Sequence, residues 1–340
     1  MPDVIIQKLT STDGFIAFDL DEAPAAGVVR SAPKILVDGA SLLARSLTYR
    51  FASFERQIGG ASMGVNAAPD DRAGAVAAFV VEVEPLVREG RLAVDAAKGV
   101  AVEDLAPLAA ADPRPADHLA GHDELLGLGV AVAAHTAVGG LAGRRVAIEG
   151  FDATGPAIAA AVAERGGKVV AVSTSAGSAA SADGFDAAAL AAGWAEHGAA
   201  VVAALVATPG KPWEVFGIEA DVLVVGSKTG VVDDKVADGL AEGVVVVPSG
   251  PVPVTAKGLA VARRGGVVVV PDFIATAGPL FAGWPVDGAG EPASAAATAI
   301  DASLLEVLAH ADGPLLGACY RAEAFLATWR EQLPFGRPLA

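Results

Sequence analysis

The chain has 340 residues, enough for two domains with a core each, and its formal charge of −16 argues against a nucleic-acid partner. Hydrophobic residues make up 53% and charged residues 19%, which describes a globular protein with a core of small Ala and Val side chains. The single cysteine, Cys319, excludes a disulfide framework and a cysteine-based zinc site. The opening Met-Pro-Asp-Val-Ile-Ile has no basic segment, and the apolar runs are broken by Gly, Pro or charge before they reach the length of a bilayer span. A cytoplasmic location without a signal peptide or a membrane partner is therefore expected.

In chain order, Val4 to Leu9 and Gly14 to Leu20 predict a hairpin around Ser11-Thr12-Asp13-Gly14. Apolar spacing predicts a helix from about Val37 to Arg56, and a strand follows at Gly60 to Ala67. Asp70 opens a second helix with Val76, Phe79, Val80 and Val83 on one face. Pro113-Arg114-Pro115 reads as a loop, and Gly127 to Leu141 as a long Ala/Val helix. Beyond residue 140 the pattern alternates, with strands expected at 146–150, 169–173, 200–206, 222–225, 244–247 and 267–270 and helical stretches between most of them. All-apolar strands separated by helices point to a mostly parallel sheet covered on both faces. Pro292 to Trp329 reads as helical.

One segment carries chemistry. The strand-like run Arg145 to Glu149 leads into Gly150-Phe151-Asp152-Ala153-Thr154-Gly155 and then a helix from Pro156. This is the setting of a dinucleotide-binding turn, G-x-G-x-x-G, with Asp152 in place of the middle glycine. Two like charges 4 Å apart cost about 1 kcal/mol in water and about 4 kcal/mol at an effective dielectric near 20. Asp152 thus opposes a pyrophosphate, unless it turns away to cap the helix, where an aspartate is favourable. His118, His122, His135, His197 and His310 show no metal spacing beyond the 118/122 pair, which has no evident third ligand, so no metal is expected.

Arg145 to Gly155 resembles the nucleotide-binding segment of the Glu/Leu/Phe/Val (amino-acid) dehydrogenases, written GFGxVG. Asp221 to Val225 is similar to that family's fourth Rossmann strand, and Val269 to Gly278 to its "vPD-hydrophobic-aNAGG" stretch. Pro24 to Arg30 resembles "GPAxGGxR"; Leu47-Thr48-Tyr49-Arg50 and then Gly59 to Val65 resemble "MTyK" and "GGxKxxI" at matching spacing. The resemblance implies an α/β fold, with an N-terminal substrate-binding and oligomerisation domain over 1–135. A Rossmann-type domain with a mostly parallel sheet would cover 136–290, and C-terminal helices over 291–340 would pack back across the domain interface. It also implies oxidation of an amino acid by hydride transfer to NAD or NADP, and assembly into oligomers.

The residues that would perform this chemistry depart from the pattern. The resemblance puts Ser62 at the lysine that activates water and Ala97 at the aspartate that handles protons, with Asp95 and Lys98 nearby. Loss of a general base alone costs about 10²- to 10⁴-fold in rate. Substrate-binding positions fall on Arg50, Gly59 and Gly60, and Arg50 either holds a small carboxylate or makes a solvated surface contact. Cofactor-binding positions fall on Gly150, Asp152, Ala153, Thr154, Gly155, Thr174, Ser249 and Thr276. Thr174 stands where an acid would hold a ribose hydroxyl, Ser249 and Thr276 stand where the family carries asparagines, and Lys228 is a loop cation. Two readings stay open at this point. The chain is a diverged member without standard deamination, acting as a small-acid binder or as a partner in a homo-oligomer or in a hetero-oligomer with an intact paralogue. Alternatively, it is an active NAD(P)-dependent oxidoreductase with a rearranged site.

Overall fold

Short apolar strands on both sides of a polar turn build the first sheet. The computed structural model describes residues 4–286, 288 and 290–340. Strands β1 (Ile5–Lys8) and β2 (Gly14–Phe18) form the expected antiparallel hairpin. They are followed by β3 (Ala25–Ala32), α1 (Val37–Ser53), β4 (Gly59–Asn66), α2 (Arg72–Arg88) and β5 (Leu92–Ala96). The sheet order is β1-β2-β4-β3-β5, with β3 parallel to both β4 and β5. The two-residue period of a strand splits β4 between two faces. Ala61, Met63 and Val65 join Val76, Phe79, Val80, Val83 and Val87 of α2 in one apolar core. Gly60 faces α1 so closely that a Cβ there would lie 1.9 Å from the Ala44 carbonyl oxygen. Glu82 of α2 clamps the hairpin turn by accepting the Thr10 and Ser11 amides at 2.8 Å.

A second sheet is built from α3 (His122–Ala137), β6 (Arg145–Glu149), α4 (Gly155–Glu164), β7 (Lys168–Thr174), β8 (Gly177–Ala180) and α5 (Ala187–His197). Then come α6 (Val201–Ala204), β9 (Thr208–Gly210), β10 (Val222–Val225), α7 (Asp234–Asp238), β11 (Val245–Pro248), α8 (Ala256–Arg264) and β12 (Val268–Val269). Four helices close the chain: α9 (Asp272–Ala275), α10 (Leu280–Gly283), α11 (Pro292–Val307) and α12 (Pro314–Leu326). The sheet order is β12-β11-β10-β6-β7-β8-β9, parallel from β12 to β7 and antiparallel for the last two pairings. Order and direction around β6 and β10 are those of a doubly wound nucleotide fold, with the topological switch between these two strands.

The chain divides into two compact units, residues 1–116 with Cys319–Pro338, and Asp117–Ala318 with Leu339–Ala340. Helix α3 lies in the second unit, and the division runs through α12. The strand expected at 200–206 is absent. Gly198, at φ 54°, ends α5, and Val201–Ala204 form the short helix α6, with Val201 and Val202 buried and Val206 fully exposed. Alanine's helix preference outweighs the scattered valines there. The place beside β7 is taken instead by β8, a run of small residues running the other way. One helical run, Ala187–Ala204, reaches a mean hydropathy of 1.2 over 18 residues, which is span-like by composition, but Gly198 divides it.

Candidate functional site

In the second unit, the turn after β6 is shaped as a nucleotide turn and then closed by its own residues. Gly150 has φ 79°, and a Cβ there would lie 2.5 Å from the Ser227 nitrogen, so only glycine fits. Phe151 is buried and stands edge-on to Trp194, with ring centroids 5.9 Å apart. A Cβ on Gly155 would meet that Phe151 ring at 2.7 Å. Asp152 and Ala153 are exposed. The Asp152 carboxylate accepts the Thr154 amide at 2.9 Å and the Thr154 hydroxyl at 2.8 Å. The N-terminus of a helix attracts anions because its first amides are unpaired and its dipole is positive there. At α4 that attraction is already used by a side chain of the same turn.

The neighbouring strand ends are satisfied internally as well. Glu149 is buried, and its Oε2 accepts the amides of Gly226 at 3.1 Å and Ser227 at 3.2 Å. These groups lie at the switch between β6 and β10, and the motif reading did not single Glu149 out. Its signal was available: a charged residue closing an otherwise apolar parallel strand. Thr174 ends β7 buried, donates to the Ala199 carbonyl at 2.6 Å and accepts the Ala176 amide at 3.1 Å. A hydroxyl has one proton, so Thr174 has none to offer a ribose or a 2′-phosphate. Thr276 is buried and donates to the Asp272 carbonyl of its own turn at 2.7 Å. Ser249 packs its hydroxyl against Gly226, where a Cβ would approach it to 2.2 Å. Lys228 is exposed. Of the donors that a dinucleotide's phosphates and ribose would meet at these positions, those of Thr154 and Thr174 already have partners within the protein.

In the first unit, Ser62 sits in β4, fully buried, and its hydroxyl accepts Nη2 of Arg30 at 3.1 Å. Arg30 projects from β3, and burial depresses its pKa below the ordinary arginine value. Ala97 follows β5 and donates its amide to Val29 of β3 at 3.0 Å. The structure therefore brings the Ser62 and Ala97 positions to opposite sides of β3. The Asp95 carboxylate is engaged by Arg114 at 2.9 Å, and Arg114 also holds Asp112 at 2.7 Å. Burial works against the Arg114 charge, and the hydrogen bonds of Asp112 and the charge of Asp95 more than offset it. Lys98 is exposed and offers its carbonyl to the Ser31 amide at 2.9 Å. Arg50 lies in the last turn of α1, and Gly59 and Gly60 open β4, with the Gly60 amide on the Thr48 hydroxyl at 2.9 Å.

The same fold recurs in solved structures. The chain is similar to a hetero-hexameric glutamate dehydrogenase from Thermus thermophilus (21% identity, 94% of this chain and 86% of that one, TM-score 0.77). It is also similar to the glutamate dehydrogenase of Plasmodium falciparum (12%, 93% and 79%, TM-score 0.73) and to L-tryptophan dehydrogenase from Nostoc punctiforme (19%, 96% and 95%, TM-score 0.66). At these identities the likeness shows the fold, a Rossmann domain joined to a substrate-binding domain. Residues 120–282, which span the turn after β6 and both strands of the switch, match the model of the Glutamate/Leucine/Phenylalanine/Valine dehydrogenase family. Over residues 120–282 the chain is thus similar to the Glu/Leu/Phe/Val dehydrogenase family, and over most of its length it shares the fold of the glutamate dehydrogenases.

Proposed function

We propose that this chain is a diverged amino-acid dehydrogenase that does not carry out NAD(P)-dependent oxidative deamination and serves as a small-acid-binding subunit of an oligomer. One observation carries the reading: Asp152 places a carboxylate on the amide and hydroxyl of Thr154, where the turn would receive pyrophosphate. The state of Thr174 and of Ser62 supports it. A serine hydroxyl with a guanidinium as its neighbour has no base beside it and cannot take a proton from water at neutral pH. The hetero-hexameric assembly named for the Thermus thermophilus protein offers a model for the partner, an intact paralogue or a second copy of this chain.

Calorimetric titration of the purified protein with NAD+, NADH, NADP+ and NADPH tests this directly. No heat of binding at millimolar nucleotide is expected. Micromolar affinity for any of the four would overturn the reading and return the chain to the active oxidoreductases.

A further inference from the structure

Three buried or half-buried arginines in the first unit meet carboxylates. Arg45 lies 2.6 Å from Asp19, Arg114 lies 2.9 Å from Asp95, and Arg337 lies 2.7 Å from Glu323. Arg30 does not follow that pattern. It is half-buried on β3, and among the described residues its hydrogen-bond partner is the neutral hydroxyl of Ser62. Its Nε is buried and has no partner. A guanidinium carries five N–H donors in a fixed fork, and its charge is costly to desolvate without an anion. Burial depresses its pKa, and no neighbouring carboxylate raises it again. Nothing in the apolar packing of the sheet requires an arginine at this position. The Ser62 bond fixes Nη2, and so fixes the plane of the fork, while leaving most donors unused.

We propose that Arg30 is the anion-binding residue of the first unit, its guanidinium braced by the buried Ser62 hydroxyl and its free donors taking the carboxylate of a small organic acid. Ser62, being fully buried, does not touch the ligand and acts as a positioning residue through Arg30. A carboxylate suits the site better than a phosphate, because one guanidinium neutralises one carboxylate and a dianion would leave a surplus charge half-buried. This inference rests on the reading of the chain as an acid-binding subunit and names the residue that would do the binding.

The test is calorimetric titration of the full-length wild type, Arg30→Gln, Arg30→Lys, Ser62→Ala, Arg50→Gln and the Arg30→Gln/Ser62→Ala double variant with succinate. Thermal melts confirm that each variant folds. Wild type is expected to bind, Arg30→Gln to bind at least tenfold more weakly, and Arg30→Lys to retain part of the affinity. Ser62→Ala should weaken binding severalfold alone and add nothing to Arg30→Gln, a coupling that a merely structural serine would not give. Equal affinity in a folded Arg30→Gln, or loss confined to Arg50→Gln, would overturn the assignment of Arg30 and leave the acid-binding reading standing. Absence of succinate binding to wild type would overturn both, while tighter binding of inorganic phosphate would overturn the choice of a carboxylate.

Discussion

Replacing Asp152 by glycine should move stability and nucleotide affinity in opposite directions. The carboxylate accepts the Thr154 amide and hydroxyl at 2.9 and 2.8 Å, so its removal loosens the turn that leads into α4, whose N-cap is Thr154. Losing such hydrogen bonding costs about 1 kcal/mol, which is roughly 2–4 °C in Tm for a unit of this size. The freed amide then faces outward at the positive end of the helix dipole, and one negative charge leaves the phosphate path. Asp152 is exposed, so the water-like estimate of about 1 kcal/mol applies to the lost repulsion rather than the ~4 kcal/mol of a less polar site. NADH affinity should therefore rise by roughly fivefold, from no detectable heat at millimolar nucleotide in the wild type to weak but detectable heat in the variant, while the melting temperature falls. Titration calorimetry and thermal melts on both proteins read the two effects. A lower Tm with unchanged affinity would refute the reasoning, because the carboxylate would then brace the turn without excluding phosphate.

Three further outcomes are expected. Burial works against the Glu82 charge, but the Ser11 hydroxyl and the Ser11 and Thr10 amides hold its pKa down to about 2 against an ordinary 4.5. A depressed carboxylate contributes stability that is full above the ordinary value and lost as pH falls toward the folded one. The Tm gap between wild type and Glu82→Gln should accordingly close between about pH 4.5 and 2, and a pH-independent gap would contradict this. Asp19→Asn leaves the Arg45 charge buried without its countercharge and should cost about 3 kcal/mol in urea unfolding, the low end for a broken buried pair because the Phe335 and Gly336 carbonyls still accept from Arg45. A loss under about 1 kcal/mol would show that the pair is not buried in solution. Ser62→Lys sets a second cation against Arg30 in a fully buried position, so it should lower Tm and give no deamination; turnover of any amino acid from this single change would refute the account of the site.

Glycines and apolar periodicity made the framework legible. Gly150 and Gly60 are glycines because backbone atoms lie where a Cβ would go, and such positions stand out in a one-dimensional pattern. The helices Val37–Ser53 and Arg72–Arg88 followed from the spacing of residues that turned out to be buried. The stretch after β7 was misread because valines in a run of alanines suggest a strand, whereas the pairing that makes β8 depends on small residues with no alternation. At the site, sequence reasoning left Asp152 either opposing phosphate or capping the helix; the structure has it bracing the turn through Thr154, with no side-chain cap on α4. The partner of Thr174, the Ala199 carbonyl 25 residues away, was not visible at all. The same holds for Arg30 with Ser62, since strand register decides which residues meet across a sheet.

The closures in the second unit follow from one requirement. Polar groups at the ends of buried parallel strands need partners, and in a cofactor enzyme water and then the cofactor supply them. Here Glu149 and Thr174, at the ends of β6 and β7, find theirs within the protein, as do Asp152 in the exposed turn and Thr276 after α9. Each bond that a nucleotide displaced would have to be replaced, at about 1–3 kcal/mol for a buried group left unsatisfied. The penalties fall on separate elements, so reverting one residue relieves one of them and leaves the others in force. That is why the gain from Asp152→Gly should be severalfold rather than many orders of magnitude. It is also why the intact glycines are no guide to activity: Gly150 and Gly155 are held by contacts with Ser227 and Phe151, and those contacts persist whether or not a phosphate ever enters the turn.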